Sequence, residues 1–384
     1  MKRILVCASR ISHIQNFHLP YLRYFKERGY TVDAAAEGTA DIPLIDNCYD
    51  MKFVKNPLSP QNLHTVSALK KLMQENRYDM VYSNSTLSGA ALRLAYMQMK
   101  KPKPYYVHIS HGYMFSEKGG FNSFIYRNVE KFTAKVPDAL VVMNREDLRL
   151  AERYKLGRNI HYINGMGLDA RRFPKISDEQ RAAARKSLGV DDNGFMLLCV
   201  GEFSARKNQT ALIEAMSLIS RSHPEAVLVL AGSGADLEEC KILTQKLELG
   251  SKIRFAGQVQ EVNLLYRSAD MLVSASKMEG LPFNVMEALY CGLPVLASDI
   301  KGHSELVAHG ENGMLFDISG NEPEKTIAVE LDRILTDKGL YEKLRSNASL
   351  DKKYLIENVS GELIRILDRD AENRNASLKT EGAY

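Results

Sequence analysis

Glu279-Gly-Leu-Pro-Phe-Asn-Val-Met-Glu287 runs directly into Ala288-Leu-Tyr-Cys-Gly-Leu-Pro-Val-Leu-Ala297, a succession of residue types that reads as loop, helix, turn and strand. Proline is tolerated in the first turn of a helix because the N–H it lacks has no intrahelical partner there, so Pro282 marks a helix start. Glu279 then lies in the preceding loop and Glu287 in the second turn. Cys291-Gly292-Leu293-Pro294 ends the helix with a glycine and a proline, and Val295 to Ala297 reads as a buried parallel strand. Backbone N–H groups around Phe283 and Asn284, at the positive end of the helix dipole, suit an anion such as phosphate. Gly280, with Leu281 and Pro282 after it, lets the chain approach a ligand closely. The glutamate spacing alone carries no information, because Glu322 and Glu330 share it and read as two turns of a solvated helix.

Working outward, apolar runs at Ile4 to Ala8, Thr31 to Ala36, Met80 to Ser83, Tyr105 to Ile109 and Ala139 to Val142 alternate with helix-length segments, which implies a parallel sheet. A second series begins at Phe195 to Val200 and continues through Ala226 to Ala231, Ile253 to Phe255, Met271 to Ala275 and Val295 to Ala297. The fold class expected is α/β, with two doubly wound, Rossmann-like domains. Between the two series, Asn164-Gly-Met-Gly-Leu-Asp-Ala-Arg-Arg-Phe-Pro174 is glycine-rich and ends in proline, which places the domains at residues 1–174 and 175–349. Ligands of such sheets lie beyond the carboxyl ends of the strands, so two facing domains would form a cleft. Residues 371–384 are polar and read as a disordered tail.

At 384 residues with 45% hydrophobic content, the chain can fill two cores, and disordered and fibrous classes are excluded. Cys7, Cys48, Cys199, Cys240 and Cys291 are scattered, with no spacing of a zinc site or disulfide framework, which fits a reducing cytoplasm. No apolar stretch of about 18 residues is present, so no membrane span is expected. The net charge of +4 conceals an asymmetry: residues 1–165 hold 24 Lys/Arg against 14 Asp/Glu, and the remainder 27 against 33. A basic amino-terminal half is compatible with nucleic acid, a membrane surface, a phosphorylated substrate or plain solubility, and charge alone does not choose.

Several motifs bear on chemistry. Val200-Gly201-Glu202-Phe203-Ser204-Ala205-Arg206-Lys207-Asn208 follows a strand and opens a helix, and its cations suit a pyrophosphate. Positive charge there opposes the helix dipole, so it needs a reason. Gly232-Ser233-Gly234 lacks the third glycine of a dinucleotide fingerprint, and the first strand runs into Ser9-Arg10-Ile11-Ser12-His13 without a glycine loop, which argues against an NAD-dependent dehydrogenase. Asp368-Arg369-Asp370 has the form of a metal-binding triplet but sits in a charged terminal helix, so it reads as surface. His111, at the end of the strand Tyr105 to Ile109 and before Gly112, occupies the position from which such a sheet presents side chains to a ligand. His108 points to the opposite face and reads as packing. Arg10 to His18 reads as a loop before a helix, with His13 and Asn16 as candidate contacts for hydroxyls or phosphate.

The run EGLPFNVMEALYCGLPVLAS resembles the signature of the retaining family 4 glycosyltransferases, which have the GT-B fold of two Rossmann-like domains. The interdomain segment, Phe17-His-Leu-Pro20, Pro60-Gln-Asn-Leu63 and Val129-Glu-Lys-Phe132 extend the likeness over almost the whole chain, toward bacterial exopolysaccharide and capsule glycosyltransferases. The resemblance implies that Glu279 lies by the transferred sugar, that Glu287 holds the ribose hydroxyls, that Lys207 binds phosphate, and that His111 is the acceptor-side histidine. Glu202 departs from the family pattern, which carries arginine there in many relatives; Arg206 either replaces that charge or only shields it. The implied activity is transfer of a hexose or N-acetylhexosamine from a UDP-sugar to an undecaprenyl-diphosphate-linked glycan, with retained configuration. No cofactor, no metal and no nucleic-acid partner are expected. Fixed cations can stabilise the leaving diphosphate in place of a metal. The resemblance also implies that 350–370 crosses back to the first domain. A basic patch of Lys100, Lys101, Lys103, Lys118, Arg127, Lys131 and Lys135, interleaved with Tyr113, Phe115, Phe121 and Phe124, would suit an anionic membrane surface, placing the protein on the inner face of the cytoplasmic membrane. Two rivals stand beside this reading: a UDP-sugar epimerase of the same architecture, and an inactive nucleotide-sugar-binding regulator.

Overall fold

A computed structural model of the chain describes residues 2–54, 59–116 and 121–367, apart from the side chains of 121 and 122. Asp368-Arg369-Asp370, Lys118 and the 371–384 segment lie outside the described residues, as does the Phe121 side chain. The described chain falls into two compact units, one ending at Gly167 and regaining 356–367, the other Leu168–Leu355.

The first unit contains strands β1 (Arg3–Arg10), β2 (Thr31–Glu37), β3 (Asn47–Asp50), β4 (Met80–Asn84), β5 (Tyr105–Ser110), β6 (Ala139–Val142) and β7 (Ile160–Tyr162). They pair in parallel in the order β3-β2-β1-β4-β5-β6-β7. The second contains β8 (Phe195–Val200), β9 (Ala226–Ala231), β10 (Ile253–Gly257), β11 (Met271–Ser274), β12 (Val295–Ser298) and β13 (Gly313–Phe316), parallel in the order β10-β9-β8-β11-β12-β13. Both units are therefore doubly wound α/β folds, as the alternating runs imply. A parallel sheet covered on both faces buries successive side chains on opposite sides, which is why its strands are continuously apolar. In β8, Leu197 and Cys199 enter one core while Met196 and Leu198 enter another; β9 divides the same way.

Strands β3, β7 and β13 were not expected. β3 and β7 are sheet edges whose residues are only half buried or exposed, so they carry no apolar run to read. The change of unit also comes earlier than Pro174: Leu168 and Phe173 are buried in the second unit's core, and the Leu168 N–H donates to the Tyr354 carbonyl. The carboxyl-terminal segment divides likewise. Lys352–Tyr354 is a short 3-10 turn of the second unit, and 356–367 is a helix of the first, burying Val359, Leu363 and Leu367 at the four-residue spacing of one helix face.

One buried charge network sets β8 beside β11. Asp270, just before β11, accepts from the Met196 N–H of β8 at 2.7 Å, from Arg185 at 2.9 Å and from Arg181 at 2.8 Å. Arg185 is buried and donates also to the carbonyls of Ser268, Asp191 and Gly194. Removing one partner of such a pair strands a buried charge, which costs about 3–5 kcal/mol. Asp270→Ala is therefore expected to lower the free energy of unfolding by about that amount in urea denaturation; an unchanged denaturation midpoint would refute the role.

Candidate active site

In the second unit the chain leaves β8 toward β9 on one side and leaves β11 toward β12 on the other. The recorded pairing of β11 with β8 stops at Leu272 with Leu198, so the loops that follow, 201–208 and 275–282, emerge from the crevice where α/β sheets bind ligands. Three charged side chains meet there. Lys207 Nζ lies 2.7 Å and Arg206 Nη1 2.9 Å from the same oxygen, Oε1, of Glu279. The Glu279 side chain is 10% exposed, Lys207 13% and Arg206 42%.

Backbone contacts hold the two loops together. The Lys277 N–H donates to the Arg206 carbonyl at 2.8 Å, and Arg206 donates through its side chain to the Met278 carbonyl at 3.1 Å. Lys207 reaches Glu279 past Gly201, where a Cβ would come within 3.2 Å of its Cε. The neighbouring Gly232-Ser233-Gly234 serves packing in this unit: a Cβ on Gly232, whose φ is +142°, would lie 2.0 Å from the Gly201 carbonyl oxygen, and the Phe203 N–H donates to the Ser233 carbonyl. Gly302 lies on the other side of the glutamate loop, with φ +86° and a Cβ position 2.6 Å from the Gly280 carbonyl oxygen.

The helix after the glutamate loop is Phe283–Tyr290, with Pro282 as its N-cap. Its start is tied to β8, because Asn284 donates through Nδ2 to the Val200 carbonyl at 3.1 Å while its Oδ1 accepts from the Val285 N–H. The Asn284 side chain is thus committed to the protein. Leu281 and Pro282, at the end of the loop, are buried, Leu281 in the second unit's core. Glu287, one turn into the helix, accepts a 2.6 Å hydrogen bond from the buried Tyr266 hydroxyl.

Electrostatics separate the two glutamates. Burial alone would raise the Glu279 pKa, but Lys207 and then Arg206 more than offset it and hold the carboxyl below its ordinary 4.5. Burial keeps Glu287 above that value despite the Tyr266 hydrogen bond. Two residues of this site were not singled out from the sequence. Tyr266 lies in the helix Val262–Ser268 with no local motif. His303, fully buried, places Nδ1 2.9 Å from the Ser298 carbonyl and Nε2 3.3 Å from Ser274 Oγ, and burial pushes its pKa down to about 4; only its position after Gly302 hints at it.

The first unit brings together different chemistry. Residues Ile11–Phe17 form a helix, not the loop expected, so His13 is helical and Asn16 lies exposed one turn on. His13 Nε2 is 3.3 Å from His111 Nε2, and the rings meet edge to face at 4.5 Å. His18, unremarked in the sequence beyond its motif, is fully buried beside both. Burial lowers the pKa of His13 to about 4 and that of His18 and His111 well below 6.5, so all three are neutral at pH 7. His108 packs beneath, with Nδ1 2.8 Å from Ser83 Oγ. The expected basic-aromatic patch is corrected in part: Tyr113 and Phe115 are stacked in the core and do not face solvent.

Comparisons with known proteins agree with this architecture. A family model described as Glycosyl transferases group 1 matches residues 180–351, and one described as Glycosyltransferase Family 4 matches 21–165. The Bacillus subtilis protein named "Putative glycosyltransferase EpsD" is 33% identical over 83% of this chain and 84% of its own length. An Escherichia coli UDP-Gal:alpha-D-GlcNAc-diphosphoundecaprenol alpha-1,3-galactosyltransferase is 27% identical over 77% of this chain and 75% of its own. Among solved structures, Anabaena HepE in complex with UDP and glucose superposes with a TM-score of 0.72 at 19% identity, covering 96% of this chain and all of its own, a likeness of fold. The chain belongs to the glycosyltransferases of the GT-B fold.

The charge cluster has a measurable signature. A carboxylate whose folded pKa lies below its unfolded one stabilises the fold above the unfolded value of about 4.5, and that contribution is lost as pH falls through the folded value. The wild type is therefore expected to melt above Glu279→Gln at pH 7, with the gap narrowing as pH falls below 4.5. A gap in melting temperature that stays constant across this range would sink the assignment.

Proposed function

We propose that this glycosyltransferase moves an N-acetylhexosamine or hexose from a UDP-sugar to a glycan on undecaprenyl diphosphate, with retained anomeric configuration, in exopolysaccharide or capsule biosynthesis. The observation that carries the reading is the Lys207–Glu279–Arg206 cluster beyond the ends of β8 and β11. Cleavage of the sugar C1–O bond places negative charge on the departing UDP, and Lys207 and Arg206 stand ready to neutralise it in a partly desolvated site. Glu279 keeps these cations oriented and, through the remainder of its carboxylate, orients the sugar. Glu287, positioned by Tyr266, takes the ribose hydroxyls. The acceptor oxygen forms its bond to C1 on the face the phosphate leaves, and the leaving phosphate oxygen takes the acceptor's proton. His111 and His13 line the acceptor side. The Escherichia coli relative, whose name specifies UDP-Gal and a diphosphoundecaprenol-linked acceptor, supports this choice of donor and carrier.

A lipid-linked acceptor requires the enzyme to meet a membrane surface. No helix among the described residues is long and apolar enough to cross one. The helix Phe121–Thr133 instead exposes Phe124 (55%), Val129 (50%) and Phe132 (74%). With Leu94 they border an apolar groove of about 480 Å³. In the same unit, Lys101, Lys103, Lys135 and Arg158 line a second groove. An apolar groove and a cationic one in the same unit suit the headgroup boundary of an anionic bilayer.

Two experiments test the reading. Glu279→Ala and Lys207→Ala should each abolish UDP release from a donor panel offered with lipid-linked acceptors, while leaving the thermal unfolding cooperative; normal turnover in either removes the site assignment. Isomerised donor without acceptor would instead identify an epimerase. For the membrane, Phe124→Asp with Phe132→Asp should abolish co-sedimentation with phosphatidylglycerol vesicles and spare UDP binding, and undiminished sedimentation would exclude this face.

A further inference from the structure

His13, His18 and His111 offer ring nitrogens that all lie within 4.8 Å of one another, the one such group of three potential metal ligands among the described residues. We infer that these three imidazoles form a site for a borderline divalent metal of the zinc class. The Nε2 atoms of His13 and His111 are 3.3 Å apart. Two Zn–N bonds of about 2.0–2.1 Å at a tetrahedral angle span about 3.3–3.4 Å, so this pair already stands at the spacing of two ligands.

A hydrogen bond between His13 and His111 would account for those two nitrogens but not for His18. Its ring is fully buried, and neither Nδ1 nor Nε2 has a hydrogen-bond partner. A buried polar group left unsatisfied is costly, which calls for a ligand or a specific role. The ring is also held in place. Between the helices Ile11–Phe17 and Leu19–Glu27, the His18 N–H donates to the Ile14 carbonyl and the His18 carbonyl accepts from the N–H groups of Tyr21 and Leu22. His13 and His111 are only half buried, which gives a metal an entry path and leaves the fourth tetrahedral position open to solvent or a ligand oxygen. Three imidazoles and no carboxylate favour zinc, cobalt, nickel or copper over magnesium and calcium, which take oxygen ligands.

This site departs from the expectation of no metal and is built from residues of the first unit alone. Its consequence for the first unit is direct: a metal takes the lone pair that His111 would turn toward an acceptor, so occupancy and that role exclude each other.

The test uses the full chain, stripped with a chelator and titrated with Zn²⁺ against a chromophoric zinc indicator. One Zn²⁺ per chain is expected, and Co²⁺ should give the visible absorption of a tetrahedral nitrogen site. His13→Gln and His18→Gln should each weaken Zn²⁺ binding by at least about tenfold, the smallest loss typical even of groups that only support a ligand. Because His18 is buried and its replacement can unfold the unit, the half-buried His13 variant carries the decision, with its circular dichroism and melting curve as the fold control. No stoichiometric Zn²⁺ binding by the wild type, or binding that His13→Gln leaves unchanged, overturns the inference. UDP binding followed on the same samples reports the donor site separately.

Discussion

The chemistry of the second unit depends on one topological constraint: β8 and β11 are neighbours whose connections leave in opposite directions along the sheet. Once their pairing ends at Leu198 and Leu272, no strand fills the space between the two exits, and the loops that occupy it must supply their own contacts. They do so with the Lys277-to-Arg206 backbone bond, the Asn284 tie to Val200 and the glycine contacts of Gly201, Gly232 and Gly302. Asp270, bound to both strands' starts through Arg185 and Met196, sets the same two strands from the opposite end. A charged cluster can be held within ångströms here because both ends of its supporting strands are constrained.

Glu279 and Glu287 share one loop-helix segment but differ in what surrounds them. Cations overcome burial at Glu279, whereas at Glu287 burial prevails over the Tyr266 hydrogen bond and the weaker pull of Arg172 and Lys207. Carboxylates pushed apart in this way are suited to different roles: Glu279 stays ionised beside its two cations, and Glu287 is held as a less acidic group.

The first unit repeats the doubly wound plan with a different yield. There the connections part between β1 and β4, and the segments following β1 and β5 deliver imidazoles, not ion pairs. Neutral imidazoles with no carboxylate among them are poor partners for a diphosphate and good donors to a borderline metal. The charge asymmetry between the two halves of the sequence therefore does not map onto the deep sites. Its basic excess lies instead along exposed positions such as Lys100, Lys101, Lys131 and Lys135.

The amino-acid sequence by itself determined the two doubly wound sheets, the loop-helix start at Pro282, and the chemical identity of Lys207, Glu279, Glu287 and His111. These are local properties: continuous apolar runs report strands buried on both faces, and proline, glycine and charge report helix ends. It did not disclose the edge strands β3 and β7, which bury too little to leave a pattern, nor the helical state of Ile11–Phe17, whose first residues continue directly from β1. Only the tertiary structure decided that Lys207 and Arg206 meet one oxygen of Glu279, that Tyr266 serves Glu287, and that His18 stands beside His13 and His111. Those contacts join residues far apart in the chain, and their proximity depends on strand order and on which way each crossover turns, which no window of neighbouring residues encodes.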